Sequence, residues 1–422
     1  MQVKVYPSTC AGMVRIPPSK SMAHRAIMCA ALAKGRSVVS NIAYSEDILA
    51  TIAGMRALGA QIIEQPDAVI VDGIASLPQS PLTVDCGESG STLRFFVPLF
   101  TLSGQKMTFL GRNRLLKRPQ GVYEKLFTEQ GHMFVQTEDC LTVQGALKAG
   151  HYTIDGSVSS QFITGLLFAL PLLEQDSVVH ILPPFESRSY IALTLQMLQT
   201  FGVTARFLDD LTLEIPGGQT YSACDHTVEG DYSQMAFYAV LAAIGHDLEC
   251  TGIAPDSLQG DRAIVQILQA CGCKIEPREQ GWLVRKSVLC ATEIDLADCP
   301  DLGPVLTVLG MFAKGEMRIY HAARLRYKES DRIAAMEQEL RKFGVEISSD
   351  QDEIRIAAGP PYRCVQTLCG HTDHRIVMSL TIAALCSETP VVIDGAECIG
   401  KSYPQFFDDI KKIGAKIEVI QS

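Results

Sequence analysis

The stretch Met235–Ile253 reads MAFYAVLAAIGHDLECTGI: an apolar helix pattern, a glycine turn and a short run of strand-forming residues. A helix that is apolar on every side must be enclosed by the rest of the protein. The stretch therefore predicts a buried helix that leads directly into a strand.

The same pattern occurs at five other places in the 422 residues. These copies read AIMCAALAKGRSVVSNI (26–42), LRFFVPLFTLSGQKMTFLG (93–111), FITGLLFALPLLEQDSVVHIL (162–182), PVLTVLGMFAKGEMRIYHA (304–322) and IVMSLTIAALCSETPVVIDG (376–395). A second, amphipathic helix pattern follows each copy and ends at a glycine, which predicts a left-handed helix cap. The six glycines lie 70–72 residues apart, at Gly59, Gly131, Gly202, Gly272, Gly344 and Gly414.

This regular period predicts six α/β repeats rather than six unrelated stretches of similar pattern. It also excludes a solenoid of repeats of about 40 residues. A Rossmann sheet is disfavoured because no G-x-G-x-x-G opens any of the helices. At a typical ~100–200 residues per domain, the chain is expected to form two to four domains.

The composition indicates a well-cored protein, with 47% hydrophobic and 20% charged residues. We expect a cytoplasmic protein without a membrane span, because apolar runs of ~18 residues and a secretion signal are both missing from the sequence. The 14 cysteines are scattered, and the tight pair Cys271 and Cys273 lacks a partner pair at zinc spacing, so neither a disulfide framework nor a metal site is predicted. The net charge of −10 argues against a nucleic-acid partner.

Polar residues stand just before each apolar helix. They read SKSMAHR (19–25), GESGSTLR (87–94), VSSQ (158–161), GDYSQ (230–234), PDLGP (300–304) and HTDHR (371–375). Ser, Thr and Asp at these places are ordinary helix caps. Capping does not account for Lys20, Arg25, Arg94 or Arg375, because the positive end of a helix dipole disfavours cations. An anion held between these cations and the free helix N–H groups would resolve the conflict.

A second polar set recurs between each strand and its amphipathic helix. These loops read AYSED (43–47), GRNRLLKRPQG (111–121), PPFESRSY (183–190), RLRYKESDR (324–332) and IGKSYP (399–404). If three repeats form each of two domains, the helix starts and these loops would line a strongly positive cleft. Lys20, Ser21 and Arg25 would then form one wall of a pocket for a small, multiply charged anion, with Pro17 and Pro18 stiffening the entry to the helix.

Eight motifs of the chain match one known family in order and spacing: PSKSMAHRA, GESGSTLR, KRPQG, SSQFITGLL, EGDYSQMAF, RLRYKESDR, TDHRIVMSL and GKSYPQFF. The chain resembles the 5-enolpyruvylshikimate-3-phosphate (EPSP) synthases, the enolpyruvyl transferases of the shikimate pathway. The resemblance implies an α/β fold, a two-domain inside-out α/β barrel in which three βαβαββ repeats per domain surround buried parallel helices. It also implies an N-terminal domain of residues 19–228, a second domain of residues 1–18 and 229–422, and a hinge near 18–20 and 228–230.

The activity implied by the resemblance is transfer of the enolpyruvyl group of phosphoenolpyruvate (PEP) to the 5-hydroxyl of shikimate 3-phosphate, with release of phosphate, on the route to chorismate and the aromatic amino acids. It implies two small-molecule substrates, no metal or organic cofactor, and a monomer. Domain closure over the ligands would exclude water.

The resemblance also assigns residues. Those expected to hold shikimate 3-phosphate are Ser21, Arg25, Ser159, Ser160, Gln161, Ser187, Tyr190, Asp301 and Lys328. Those expected around PEP are Lys20, Gly90, Arg118, Gln161, Arg332, Arg375 and Lys401. Asp301 is the expected base for the attacking hydroxyl and Glu329 the expected acid for the methylene carbon, with Lys20 or Lys328 assisting proton transfer.

The chain departs from the family pattern at a few positions. Arg324 and Glu88 replace asparagines and receive no role, and Phe95–Phe96 replaces a proline-containing stretch. Two alternatives remain at this point. One is the related transferase that acts on UDP-N-acetylglucosamine, which carries a loop cysteine that GRNRLLKRPQG lacks. The other is a non-catalytic RNA-end-binding protein of related repeats, which the acidic charge and the carboxylates of Asp301 and Glu329 disfavour.

Overall fold

The computed structural model of the chain describes residues 1–359 and 361–421. Its helices are α1 (Lys20–Leu32), α2 (Glu46–Leu58), α3 (Gly90–Phe100), α4 (Gly121–Glu129), α5 (Ser160–Ala169), α6 (Arg188–Thr200), α7 (Tyr232–Ile244), α8 (Ala263–Ala270), α9 (Gly303–Phe312), α10 (Arg332–Arg341), α11 (His374–Leu385) and α12 (Phe406–Lys412). Its strands are β1 (Gln2–Tyr6), β2 (Gly12–Arg15), β3 (Arg36–Ser40), β4 (Gln61–Glu64), β5 (Ala68–Asp72), β6 (Leu82–Asp85), β7 (Met107–Leu110), β8 (Met133–Gln136), β9 (Cys140–Gln144), β10 (His151–Asp155), β11 (Ser177–Leu182), β12 (Arg206–Asp209), β13 (Thr212–Ile215), β14 (His226–Thr227), β15 (Leu248–Thr251), β16 (Ile275–Arg278), β17 (Gly281–Val284), β18 (Glu293–Asp295), β19 (Glu316–Tyr320), β20 (Glu346–Ser349), β21 (Ile354–Ala357), β22 (Leu368–Cys369), β23 (Val391–Asp394) and β24 (Lys416–Gln421).

The chain divides into two compact units. The continuous unit is Pro18–Val228, and the discontinuous unit combines Met1–Pro17 with the chain from Glu229 onward. Pro18, which the resemblance places in the second domain, therefore falls in the continuous unit.

Each unit contains three four-stranded sheets. The orders are β14-β3-β5-β4, β6-β7-β9-β8 and β10-β11-β13-β12 in the continuous unit, and β22-β23-β1-β24, β16-β17-β15-β2 and β18-β19-β21-β20 in the discontinuous unit. In the second repeat, β6 and β7 are parallel and the remaining pairs are antiparallel, with Leu82 opposite Met107 and Met107 opposite Val143. The parallel pair requires a crossover connection, which α3 supplies. The predicted βαβαββ repeat is thereby confirmed.

Three sheets are completed by strands that are distant in sequence. Strand β14 pairs with β3, β2 pairs with β15, and β1 lies between β23 and β24. The amino-terminal strands thus supply the missing members of the fourth and sixth repeats. Strand β14, in contrast, closes the first repeat.

The first helix of each repeat is the buried one, as its composition predicts. Residues Tyr232–Ala243 of α7 are all buried, and α7, α9 and α11 contact one another in the core of the discontinuous unit. In the continuous unit, α3 packs on α5 and α1 packs on α2 and α6 around a separate core. The glycines that end the second helices all have φ between 77 and 116°, which confirms their predicted left-handed conformation.

All fourteen cysteines are free thiols. Among the helices of the described chain, none combines the length and the apolar character that a membrane crossing requires.

Candidate active site

The buried helices begin with the caps that the sequence indicates. The side chains of Ser19, Ser89, Ser159, Asp231 and Asp373 each accept a backbone hydrogen bond in the first helical turn. Helix α9 differs, because it follows the 3-10 turn Pro300–Leu302 and has no side-chain cap. The cations beside these helix starts are held by other groups.

Lys20 is the first residue of α1, and its ammonium lies 2.6 Å from a carboxylate oxygen of Asp47. Asp47 belongs to the first turn of α2, and its backbone carbonyl accepts a hydrogen bond of 3.5 Å from the Thr92 hydroxyl in α3. Both members of the ion pair are largely buried, with 18% and 11% of their side chains exposed. The contact joins the starts of three helices around Lys20.

Arg25 is a buried cation with uncharged hydrogen-bond acceptors. Its guanidinium donates to the Thr194 hydroxyl at 2.9 Å, to the Ser21 carbonyl at 2.8 Å and to the Tyr190 carbonyl at 3.1 Å. The rings of Phe95 and Tyr190 lie 5.5 and 5.9 Å from it. Burial lowers the pKa of Arg25 to about 10.

Within the described ranges Arg25 forms no ion pair, although only 3% of the residue is exposed. A buried charge is costly without an opposite charge, and such sites are often functional. The pocket wall at Ser21 and Arg25 is therefore suited to an anion.

Gln161, in the first turn of α5, has its amide orientation set by two partners. Its oxygen accepts from the Arg94 guanidinium at 2.8 Å, and its nitrogen donates to the Ser91 hydroxyl at 3.0 Å. Arg94 also donates to the Pro119 carbonyl at 3.0 Å. Arg94, one of the cations that helix capping does not explain, thus links α3 to α5 and to the loop that carries Arg118.

Gly90 and Arg118 are in close contact. A Cβ atom at Gly90 would lie 2.6 Å from one guanidinium nitrogen of Arg118. The absence of that atom lets the guanidinium of Arg118, a residue only 7% exposed, lie against the amino-terminal turn of α3. Backbone N–H groups and a guanidinium at one place form a typical oxyanion environment.

The remaining predicted residues of the continuous unit lie at the starts of α5 and α6. Ser159 caps α5, and Ser160 is its first residue. Ser187 precedes α6 with φ of 55°, and its carbonyl accepts from the Tyr190 backbone N–H. The Thr194 hydroxyl of α6 lies 3.1 Å from the Thr164 hydroxyl of α5, so the hydrogen bonds of Arg25 extend to the middle of α5.

In the discontinuous unit, Asp301 is surrounded by three cations. One carboxylate oxygen lies 3.3 Å from the Lys328 ammonium and 3.1 Å from the Arg332 guanidinium. The other lies 2.9 Å from Arg375, which also binds the Ser233 hydroxyl at 2.9 Å. Charge attraction stabilises the ionised form of Asp301 and fixes both of its oxygens.

Arg332 is held by three carboxylates. Besides Asp301, it binds Glu329 at 2.8 Å and Asp373 at 2.8 Å, and only 1% of its side chain is exposed. Burial alone would lower the pKa of Arg332, but Asp373, Glu329 and Asp301 outweigh burial and raise it. Burial would likewise raise the pKa of Asp373, yet the Arg332 charge brings it below its usual value.

Two lysines complete this cluster. Burial lowers the pKa of Lys328, and the nearby charge of Asp301 offsets only part of this effect. Lys401, 6% exposed, donates a hydrogen bond of 2.7 Å to the carbonyl of Thr372, the residue before Asp373. The structure thus brings Asp301, Lys328, Glu329, Arg332, Arg375 and Lys401 into one connected group.

Sequence reasoning missed the carboxylates Asp47 and Asp373. Asp373 stands in a motif that it explained by capping, and Asp373 does cap α11, whereas Asp47 stands in a loop that it described only by the basic residues of its counterparts. The signal was available in AYSED and HTDHR, where an acidic residue adjoins each helix start. With Asp373 included, Arg332 contacts three carboxylates, so this wall is less positive than the basic residues alone predict.

The residues that depart from the family pattern make ordinary hydrogen bonds and packing contacts. Arg324 donates to the Ala297 carbonyl at 2.6 Å, and Glu88 accepts from Asn113 at 2.7 Å. Phe95 is buried against the Arg25 guanidinium, and Phe96 lies in the core. Across the described ranges, no group of three or more His, Cys, Asp or Glu side chains is placed to hold a metal ion.

Comparisons with known proteins agree with these arrangements. The sequence profile of the family described as EPSP synthase (3-phosphoshikimate 1-carboxyvinyltransferase) matches residues 6–410. A 3-phosphoshikimate 1-carboxyvinyltransferase of Clostridium perfringens is 44% identical, over 98% of each chain. The enzyme of that name from Clostridioides difficile is 42% identical, over 99% of this chain and 98% of its own.

Solved structures match as well. An EPSP synthase of Acinetobacter baumannii superposes with a TM-score of 0.83 at 26% identity, over the whole of both chains. The enolpyruvyl transferase NikO of Streptomyces tendae shares the fold, with a TM-score of 0.79 at 16% identity, over 99% of this chain and 98% of its own. The predicted inside-out α/β barrel fold is confirmed, and the chain belongs to the EPSP synthase family.

Proposed function

We propose that the residues described above carry out the reaction of this family in the present chain. The enolpyruvyl group of PEP passes to the 5-hydroxyl of shikimate 3-phosphate and phosphate is released. Both substrates are small and multiply anionic, so they require cations that are held in place before binding.

The residues assigned to shikimate 3-phosphate are Ser21, Arg25, Ser159, Ser160, Gln161, Ser187, Tyr190, Asp301 and Lys328. The single observation that carries this assignment is Arg25, a buried guanidinium whose hydrogen-bond acceptors are all uncharged. A bound phosphate would supply the opposite charge that this cation lacks.

PEP binds to Lys20, Gly90, Arg118, Gln161, Arg332, Arg375 and Lys401. The Gly90–Arg118 contact supports a phosphate site, because backbone N–H groups and a planar guanidinium converge there. The arginines bind carboxylate or phosphate through two N–H groups, whereas Lys20 and Lys401 act as point charges.

In the transfer, the 5-hydroxyl oxygen forms a bond to the central carbon of PEP, the hydroxyl loses its proton and the methylene carbon gains one. Loss of phosphate and of a methyl proton then restores the double bond. Asp301, which three cations hold in place, accepts the hydroxyl proton. Glu329 must first take up a proton; it then delivers this proton to the methylene carbon and takes one back from the methyl group when phosphate leaves. Lys328, in contact with Asp301, assists.

We also propose that the protein acts as a monomer in the cytoplasm, with these two substrates as its partners. Neither nucleic acid nor a membrane is required. Sedimentation of the purified chain with and without substrates tests the oligomeric state.

The activity is tested by phosphate release from PEP with shikimate 3-phosphate or UDP-N-acetylglucosamine as acceptor. We expect release with shikimate 3-phosphate alone. Arg25→Gln is expected to raise the KM for shikimate 3-phosphate by about 10- to 100-fold, since hydrogen bonds to charged groups contribute about 1.5–3 kcal/mol.

Arg36→Gln is the matched control, because Arg36 is exposed and pairs with Asp72 in the same unit. It should leave both KM values unchanged. Phosphate release with the nucleotide sugar alone would overturn the proposed acceptor. An equal effect of both arginine variants would overturn the role of Arg25.

A further inference from the structure

The loop between β22 and α11 contains two consecutive residues in a left-handed conformation. His371 and Thr372 have φ of 49 and 52°. This region is uncommon for residues other than glycine and is an outlier for a β-branched residue such as Thr372. Backbone of this kind persists only where surrounding contacts hold it.

Backbone hydrogen bonds of Gly370 and Asp373 supply part of these contacts. The side-chain contacts at the beginning of the loop come from Glu339, a carboxylate of α10 whose side chain is fully buried. Its oxygens accept from the Cys369 backbone N–H at 2.9 Å, from His371 Nε2 at 3.0 Å and from the Lys342 ammonium at 2.7 Å. Burial would raise the pKa of Glu339, but the His371, Lys342 and Cys369 contacts outweigh burial and lower it. The carboxylate therefore stays ionised.

Helix α10 holds the loop at both ends. Arg332 and Glu339 are seven residues apart and thus lie on one face of the helix. Arg332 binds Asp373 at the end of the loop, and Glu339 binds Cys369 and His371 at its beginning. Between these anchors lies the Thr372 carbonyl, which accepts the hydrogen bond from Lys401.

We propose that Glu339 is a positioning residue for PEP binding, which holds the 369–373 loop so that the Thr372 carbonyl sets the place of the Lys401 ammonium. The inference rests on the proposed contact of Lys401 with PEP. When the carboxylate is lost, the left-handed pair relaxes and the Thr372 carbonyl turns away. Lys401 then loses the hydrogen bond to this carbonyl and its ammonium shifts, while Asp301 keeps its contacts with Lys328 and Arg375.

The test is Glu339→Gln, which keeps the side-chain volume and removes the charge. We expect the KM for PEP to rise fivefold or more and the KM for shikimate 3-phosphate to stay within twofold. Glu337→Gln is the matched control on the same helix, because Glu337 binds Arg341 and Ser349 instead of the loop. It should change neither KM.

A double-mutant cycle separates positioning from general destabilisation. In a Lys401→Ala background, Glu339→Gln should raise the KM for PEP by less than twofold further, because its effect passes through Lys401. Fully additive effects, or equal changes in both KM values, would overturn the proposal. Absence of wild-type activity with these substrates would instead contradict the proposed function.

His371→Asn is the second variant, for the case in which Glu339→Gln does not fold. Asparagine tolerates the left-handed conformation but is too short to reproduce the histidine contact with Glu339. We expect a rise of at least threefold in the KM for PEP alone. An unchanged KM for PEP in this folded variant would rule out the positioning role.

Discussion

Arg25 and Arg332 are buried guanidinium groups with opposite electrostatic surroundings. Three carboxylates surround Arg332 and raise its pKa despite burial, whereas Arg25 has only uncharged acceptors and burial lowers its pKa to about 10. An incoming anion therefore relieves an unfavourable charge at Arg25. At Arg332 the incoming anion meets a guanidinium whose charge three carboxylates already compensate.

Gly90→Ala is expected to weaken PEP binding. The added Cβ would lie 2.6 Å from the Arg118 guanidinium, which must move away from the start of α3. The guanidinium is the end of a flexible side chain and can swing aside, but it then loses its place beside the donor. A hydrogen bond to a charged group contributes about 1.5–3 kcal/mol, so we expect the KM for PEP to rise about tenfold or more and to exceed the change for shikimate 3-phosphate. Steady-state kinetics with each substrate varied measures this.

Gly121→Ala is the control for this substitution, because a Cβ atom there meets nothing within 4 Å. It should change neither KM. A larger effect of Gly90→Ala on shikimate 3-phosphate than on PEP would show that Gly90 does not adjoin the donor.

The pH dependence of turnover tests Lys328. Its charged form holds Asp301, and burial lowers its pKa below the usual value of about 10.5. Because the charge is lost as the pH rises through this lowered pKa, kcat should fall on the alkaline side with a midpoint below 10.5. In Lys328→Arg the side chain stays charged, so the midpoint should move to higher pH.

Lys314→Arg, at an exposed position of the same unit, should retain the wild-type profile. The same alkaline midpoint in Lys328→Arg and wild type would assign the titration to another group.

At the scale of elements, α3 and α5 approach closely at Gly165. A Cβ atom there would lie 2.3 Å from the Arg94 carbonyl and 2.3 Å from the Tyr123 hydroxyl. The same hydroxyl donates to the Arg94 and Phe162 carbonyls at 2.7 and 2.9 Å. This contact sets the spacing of the two helices that carry Arg94 and Gln161.

Gly165→Ala should therefore lower the free energy of unfolding in urea by about 1–3 kcal/mol. Neither the Arg94 backbone nor the Tyr123 ring can move away from the added Cβ atom without a cost in free energy. Gly310→Ala, also within a buried helix, is the comparison, because its Cβ would meet the Ile356 side chain at 3.1 Å. Both changes gain the same helix propensity. Equal losses of stability in the two variants would show that the close approach of α3 and α5 does not make Gly165 less tolerant of a Cβ atom than Gly310.

At the scale of the whole molecule, the chain ends meet in one sheet. Strands β1 and β24 are antiparallel, with Gln2 opposite Gln421 and Tyr6 opposite Lys416. They occupy the places that β5 and β4 occupy in the first repeat, where a short turn joins the strands. The sixth repeat is therefore complete only when both ends of the chain are present.

A circular permutant tests this closure. A short linker joins the two ends, and new ends open between Gln79 and Ser80, which are exposed between the first and second repeats. We expect cooperative unfolding and a kcat within about twofold of wild type, because exposed loops tolerate new ends. Deletion of residues 1–6 should, in contrast, prevent folding of the discontinuous unit. Loss of cooperative unfolding in the permutant would contradict the inference that β1 and β24 can be joined by a short turn like the strands of a hairpin.

The amino-acid sequence by itself determined the repeat, the buried helices, their caps and the family. These features follow from local periodicity, capping chemistry and motifs that lie within a few residues of each other. The cations of the candidate site were named for the same reason, because each stands in such a motif.

Only the tertiary structure decided which charges compensate which cations. Asp47 faces Lys20 from the next helix, Asp373 faces Arg332 from 41 residues away, and Glu339 reaches the loop before α11. Whether a carboxylate lies 3 or 15 Å from a cation depends on how distant elements pack, and Coulomb energy depends on that distance. The contact of Gly90 with Arg118 is likewise a product of packing, which no local pattern encodes.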